Sequence, residues 1–338
     1  MWSIVLVLAI AAGTGAFLFY KEFLKPNVQI TKPKPYLFIP TGSTFEDVVK
    51  ILVQQKLLVN EKTFRWTADR MKYINNVKPG KYLLKPKMNN KELITLLRSG
   101  EQTPVLVIFN NIRTKDQLAQ KVSEQIEAPA MAILNLLEDR DYTRQLGFTP
   151  ENILSLFIPD TYEFYWNTSA DRFIHKMKTE YDKFWNDSLR QVAKNMGFKP
   201  AEISVIASIV QQETRRDDEK SLIAGVYINR YKKGWRLEAD PTLVFALGDY
   251  SINRVLSVYK QIDSPYNTYM YAGLPPGPIC LPTVASLRAV LNYTKHNYMY
   301  FCARDDFSGY HSFAVTYDQH LLNAHRFQKA LNKRGIKS

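Results

Sequence analysis

The chain has 338 residues, with 45 Lys or Arg against 32 Asp or Glu and a formal charge of +13. That length suits two or three domains with a sizeable core, which excludes a disordered chain. The positive balance favours an anionic partner, whether membrane lipid, nucleic acid or an acidic wall polymer; with no zinc-finger spacing, Gly-rich phosphate loop or Arg-rich arm, no nucleic acid is expected.

From Trp2 to Tyr20 the sequence is uncharged and mostly Ile, Val, Leu, Ala and Phe, long enough to cross a bilayer near the short end of the usual range. Trp2 and Tyr20 would sit at the two interfaces. No basic n-region precedes the stretch and no small-x-small site closes it. A retained anchor with its flank, residues 1–24, is therefore expected in preference to a cleaved signal peptide. Lys21 and Lys25 follow the span, so the positive-inside rule by itself would keep the bulk of the chain cytoplasmic. Residues 25–35, polar and Pro-rich, read as an extended linker.

Residues 36–100 read as a compact module. Tyr36 to Pro40 is a strand, and Ser43 with Glu46 forms a capping box for a helix with Phe45, Val48, Val49 and Leu52 on one face. A second helix from about Glu61 to Met71 and a strand at Lys81 to Leu84 follow. This order resembles the LysM-like βααβ module, a small carbohydrate-binding fold of cell-wall proteins; a generic α+β module without a ligand fits it equally. A helix from Asn89 to Arg98 closes at Gly100. Residues 101–153 are expected to connect, with a strand at Pro104 to Phe109, a helix opened by Thr114 and Gln117, and another started by Pro129.

Phe157 to Tyr165, FIPDTYEFY, is an aromatic cluster around a turn. Aromatic faces can serve as platforms for sugar rings, but a core role is the expected one. A long helix from about Ala170 to Met196 ends at Gly197, and Pro200 opens the next. In that next helix Ile203, Ile206, Ala207 and Val210 recur at helical spacing, and the same face extended by a turn meets Glu213. Desolvation on such a face, with the negative end of the helix dipole, would raise the pKa of Glu213 and make it a candidate general acid. The alternative is a glutamate that turns to solvent or pairs with Arg215 or Arg216. Asp217, Asp218 and Glu219 read as first-turn charges of the following helix, which carries Ile223, Val226, Tyr227 and Arg230 on one face and stops at Gly234. Three Gly- and Pro-marked stretches come next, Leu237 to Leu243, Ser264 to Tyr271 and Ala272 to Pro278, where a site would gather its contacts. Strands are expected at Tyr298 to Ala303 and His311 to Val315, then a basic helix from Tyr317. Cys280 and Cys302 fit one disulfide or, more commonly, two buried thiols. His175, His296, His311, His320 and His325 show no paired-ligand spacing, and neither a metal nor another cofactor is expected.

The strings ASIVQQET, GVYINR, LEADPT, PYNTY and GLPPGPI, in this order and spacing, resemble the endolytic murein transglycosylases, the MltG or YceG-like family. With the anchor, the LysM-like module and PDTY, the likeness runs over most of the chain. It implies an α+β protein with a single N-terminal transmembrane helix, a LysM-like βααβ module and a C-terminal α+β lytic transglycosylase domain over residues 154–338. It also implies an enzyme on the extracytoplasmic side of the cytoplasmic membrane. Such an enzyme cuts peptidoglycan within glycan strands at the MurNAc-GlcNAc bond, leaves a 1,6-anhydroMurNAc end and limits strand length. The resemblance puts the catalytic glutamate at Glu213. Two positions depart from the family pattern: Gln211 stands where another glutamate is common, and Leu154-Ser155 stands where Glu-Gly is often found.

One carboxylate suffices for this chemistry, whereas an ordinary glycosidase needs two. Asn229, Asp240, Thr242, Tyr266, Asn267, Thr268 and Tyr269 are the residues expected to bind or orient the glycan, each with a loop- or helix-packing role as the alternative. The expected partners are peptidoglycan strands, the membrane through residues 2–20, and cell-wall synthases or divisome proteins. The rivals are a hydrolase using Glu213 with Asp240 or Asp218, and a non-catalytic wall-binding scaffold.

Overall fold

The computed structural model describes residues 2–30, 35–252 and 255–334. Helix α1 (Trp2–Phe19) runs into a wider helical turn at Tyr20–Leu24. The stretch Ile4–Leu24 is long and apolar enough to cross a membrane by length and composition. The chain forms two compact units. One comprises the residues up to Val107 with the returns Ser123–Ala128 and Tyr162–Ser169; the other comprises Ile108–Val122, Pro129–Thr161 and everything from Ala170.

In the first unit β1 (Tyr36–Ile39), α2 (Phe45–Gln54), α3 (Glu61–Arg70) and β2 (Gly80–Leu83) follow in the expected order, and β1 pairs antiparallel with β2. The capping box of α2 is shifted by one residue from the expected pair. Thr44 accepts from the Asp47 N–H and Asp47 returns a carboxylate to the Thr44 N–H, while Ser43 donates to the Pro40 carbonyl. Asn89 and Glu92 form the equivalent box for α4 (Asn90–Ser99), which closes at Gly100 with φ 74°. Leu37, Ile39, Val48, Phe64, Tyr82 and Leu97 are fully buried between sheet and helices, each contributing roughly 1.5–3 kcal/mol.

The expected linker is only partly one. Residues 31–34 lie outside the described residues, but Asn27 and Val28 are buried in the first unit. Asn27 donates to the Asn60 carbonyl (2.9 Å) and to Asn90 Oδ1 (2.7 Å), and accepts from the Asn60 N–H (2.7 Å). Thr67 and Asn90 both donate to the Glu22 carbonyl, at 2.9 and 2.8 Å. A polar, Pro-flanked stretch reads as solvated; here its polar groups are the ones that buried backbone needs. Strand β3 (Val105–Ile108) follows. Thr41 donates through its backbone and hydroxyl to the Glu127 carboxylate, which ties the Ser123–Ala128 return into this unit.

The expected connecting segment is thus shared between the units. Helices α5 (Lys115–Ser123), α6 (Ala130–Glu138) and α7 (Arg140–Gln145) lead to β4 (Thr161–Phe164). Phe157 packs in the core of the second unit against Phe109 and Phe173, with ring centroids 6.2 and 5.9 Å away. The helix expected from Ala170 to Met196 is two: α8 (Ala170–Phe184) ends at buried Trp185, and Asn186 caps the start of α9 (Asp187–Met196) by accepting from the Leu189 N–H. Then come α10 (Pro200–Glu213), α11 (Lys220–Lys232), α12 (Asp240–Leu247) and α13 (Val284–Leu291), α10 packing on α11 and α13. The segment LEADPTL, expected as loop, is helical from Asp240, because Pro241 sits at a first-turn position where its missing N–H is harmless. Strands β5 (Tyr300–Ala303) and β6 (His311–Ala314) form an antiparallel hairpin covered by α14 (Tyr317–Lys333). Cys280 and Cys302 are free thiols.

Candidate active site

Helix α10 is buried all round rather than along one stripe. Every residue from Ile203 to Val210 is inside, and the hydroxyls of Ser204 and Ser208 donate back to the carbonyls of Pro200 and Val205. Glu213 is its last residue, half-buried, and Thr214 leaves the helix in extended conformation. The carboxyl therefore sits where a fully buried helix reaches an open cleft.

Across from it, Tyr227 on α11 donates to Glu213 Oε1 at 2.5 Å. Burial lifts the Glu213 carboxyl to about 7 from its usual 4.5. The Tyr227 hydrogen bond and the Arg230 charge pull it down, while the nearby Asp240 carboxylate pushes it up. Burial, with Glu213 alongside, holds the Tyr227 phenol protonated far above its ordinary range. The pairing with Arg215 or Arg216 offered by the sequence is not made. Arg216 instead donates to the Ser308 carbonyl at 2.7 Å. A carboxyl with a pKa near 7 and one firm donor is suited to giving and then retaking a proton at neutral pH.

The expected glycan-contacting residues divide into two groups. Asp240 is exposed at the start of α12 and accepts from the Tyr269 hydroxyl at 2.6 Å; both act electrostatically on Glu213 or feel it, so these two stand beside the carboxyl. The others brace the loops. Thr242 and Thr268 are buried with their hydroxyls 2.8 Å apart, and Thr268 also accepts from the Ala239 N–H and, through its carbonyl, from the Glu238 N–H. Asn267, fully buried, donates to the carbonyls of Lys260 and Ile262 and accepts from the N–H groups of Tyr269 and Met270. Tyr266 packs on Phe245 at 4.7 Å and burial raises its pKa to about 12. Asn229, expected at the glycan, directs its amide N–H groups to the backbone carbonyls of His296 (2.8 Å) and Tyr298 (3.0 Å), so its amide nitrogen joins α11 to the chain entering β5.

Two clefts meet at Glu213. One, of ≈ 420 Å³, is lined by Asn111, Arg113, Gln211, Gln212, Thr214 and Cys280 with Glu213 and Arg215. The other, of ≈ 670 Å³, runs from Glu213 and Arg215 along Arg216 and Arg304 to the hairpin residues Ser308 to His311. Cys280 is buried on the wall of the first, and burial pushes its thiol up to about 11, which leaves it an inert packing group. Gln211 accepts from the Thr283 N–H (2.6 Å) and the Ser286 hydroxyl (3.0 Å) and donates to the Leu281 carbonyl (3.2 Å), so it serves α13. Two features of the site are not visible in the sequence. Tyr227 stands there only as part of an apolar face. Glu219, read with Asp217 and Asp218 as a first-turn charge, is 3% exposed and bonds through its carboxylate to the His311 N–H and Nδ1, each at 2.7 Å. Asp218 accepts from the Tyr310 hydroxyl and Asp217 pairs with Lys220.

The sequence profile of the YceG-like family matches residues 37–326. The chain belongs to the YceG-like family. It is 27% identical over 336 residues to an endolytic murein transglycosylase of Bacillus subtilis (strain 168), covering 95% of this chain and 92% of that one. A protein of the same description from Streptococcus pneumoniae is 27% identical over 88% of this chain, which spans 59% of that protein's length. The crystal structure of a YceG-like protein from Listeria monocytogenes superposes with a TM-score of 0.57 at 26% identity, covering 86% of this chain and 99% of that one.

Proposed function

We propose that the protein is a membrane-anchored endolytic peptidoglycan transglycosylase that cleaves the MurNAc-GlcNAc bond inside glycan strands and so limits their length. The observation that carries the reading is a single half-buried carboxyl, Glu213, poised near neutrality at the junction of two clefts. Protonated Glu213 gives its proton to the glycosidic oxygen as the C1–O bond breaks, and the MurNAc acetamido group or the site supports the positive charge developing at C1. Glu213, now ionised, takes the proton of the C6 hydroxyl as O6 closes onto C1, which restores the acid and leaves a 1,6-anhydro ring. The nucleophile is already tethered to its target, which favours closure over attack by water. The surrounding carboxylates Asp218, Glu219 and Asp240 are each engaged by His311 or a tyrosine hydroxyl, in keeping with one-carboxylate chemistry. The names of the relatives support the same reading.

Helix α1 supports an anchor, and a wall substrate favours the extracytoplasmic side of the cytoplasmic membrane for the second unit. The β1–α2–α3–β2 order supports a LysM-like role for the first unit, and cell-wall synthases or divisome proteins are the partners such an enzyme meets. The proximity of Asp240 to Glu213 favours a second reading, a two-carboxylate hydrolase. Mass spectrometry of products from purified murein decides between them. Anhydro ends, lost in Glu213→Gln, are expected; reducing ends, heavier by one water, would sink the transglycosylase mechanism.

A further inference from the structure

Arginines dominate the charge along the two clefts. Among the residues that line them, Arg113, Arg215, Arg216 and Arg304 are basic by formal charge and Glu213 is the one acid. Three of these guanidinium groups are held by the protein. Arg113 donates to Gln212 Oε1 at 3.1 Å and lies 4.4 Å over the Tyr250 ring. Arg216 donates to the Ser308 carbonyl and lies 4.7 Å over Tyr310; Arg304 donates to the His311 carbonyl at 3.1 Å and lies 5.5 Å from the same ring. Arg215 differs. It is exposed, lines both clefts, is two residues from Glu213, and has no hydrogen bond or ion pair among the described residues.

A glycan backbone of N-acetylated sugars carries hydroxyls and amides but no charge, so it gives a free guanidinium nothing to neutralise. The 3-O-lactyl branch of MurNAc does, because it ends either in its own carboxylate or in a stem peptide bearing carboxylates. Guanidinium matches carboxylate in planar, bidentate geometry.

On the reading of the site as a peptidoglycan transglycosylase, we propose that Arg215 is a specificity-determining residue that binds a carboxylate carried on the lactyl branch of MurNAc beside the scissile bond. The fixed arginines supply a positive field that draws the branch in, and Arg215 makes the contact. The site thereby distinguishes wall glycan from uncharged polymers of the same sugar spacing.

The test uses the full chain in detergent or nanodiscs with three substrates: peptide-bearing strands, the same strands with carboxylates amidated by carbodiimide and ammonia, and strands stripped of peptide that keep only the lactyl carboxylate. The parent is expected to cleave peptide-bearing strands with a kcat/KM about tenfold above amidated ones, the ratio that one charge-assisted contact gives. In Arg215→Gln that ratio collapses toward one, and Arg215→Lys restores part of it. A preference for both peptide-bearing and stripped strands over amidated ones shows a contact that takes either carboxylate, and a preference for peptide-bearing strands alone assigns it to the stem peptide, since the lactyl carboxyl of those strands is already an amide. Equal kcat/KM for all three in the parent, or an unchanged ratio in Arg215→Gln, overturns the proposal while anhydro products still uphold the enzymatic reading. No anhydro product from any strand overturns both.

Discussion

The Tyr227 hydroxyl on α11 donates to Glu213 Oε1 at the end of α10, a 2.5 Å bond between consecutive helices. It fixes the rotamer of the carboxyl and opposes the effect of burial on its ionisation. The protonated acid is the form that starts the proposed reaction, and the second proton transfer uses the same group, so kcat/KM should fall once through about pH 7 as pH rises. Glu213→Gln should lose roughly 10²–10⁴-fold in rate below pH 7, where the parent carboxyl is protonated, and the gap should narrow as pH rises above it. Tyr227→Phe removes a donor that favours the ionised form, so the fall should move to higher pH; Asp240→Asn removes a like charge, so it should move to lower pH. The measurement is a pH–rate profile of anhydro-product formation for the three enzymes, and displacement of both variants in one direction would refute the assignment.

The same carboxyl weakens the fold. In the unfolded chain it ionises near 4.5, while the native carboxyl stays protonated until about 7. The unfolded state therefore releases its proton first, and native stability declines as pH rises through that window. Gln is neutral throughout and still accepts from Tyr227. Glu213→Gln should match the parent in stability at pH 4 and exceed it at pH 8 by roughly 1–3 kcal/mol, after allowance for partial exposure. Denaturant unfolding at the two pH values reads the difference.

Gly277 is pinned by backbone. A Cβ there would lie 1.8 Å from the Glu151 carbonyl oxygen, 2.7 Å from its carbon and 3.1 Å from the Tyr266 hydroxyl. Backbone cannot swing aside as a flexible side chain can. Gly277→Ala should cost roughly 1–3 kcal/mol or more and lower Tm by several degrees, measured by thermal unfolding.

Asn27 should prove structural. Asn27→Ala strands the buried Asn90 Oδ1 and removes the partner of the part-buried Asn60 N–H and carbonyl, which costs roughly 1–3 kcal/mol. Amide exchange at Asn60 should accelerate, while Glu213-dependent cleavage of soluble glycan persists. Unchanged exchange would show that the network is dispensable.

Element order was readable because caps and apolar spacing are local. Gly100, Gly197 and Pro200 stand where their backbone preferences put them. The break at Trp185–Asn186 is hidden in the sequence because a good N-cap inside a long amphipathic run reads as one more polar face residue. Glu213 was legible as the carboxylate at the end of an apolar helix. Its partner was not, since meeting Tyr227 depends on the angle between α10 and α11. Loop polarity misled for a different reason. A Thr or Asn between glycines and prolines can face a ligand or bind backbone, and composition is the same for both. Thr242, Asn267 and Thr268 bind their own loops, as does the amide nitrogen of Asn229 for β5, whereas Asp240 and Tyr269 stand at the carboxyl.

The double grip of Thr67 and Asn90 on the Glu22 carbonyl, with Asn27 locked three residues beyond Leu24, ties the turn that follows α1 into the first unit without a free joint. On the proposed reading of α1 as an anchor, a bilayer whose thickness changes the inclination of α1 would pass that tilt to the unit, and hydrocarbon depth would become a mechanical input to whatever the unit holds.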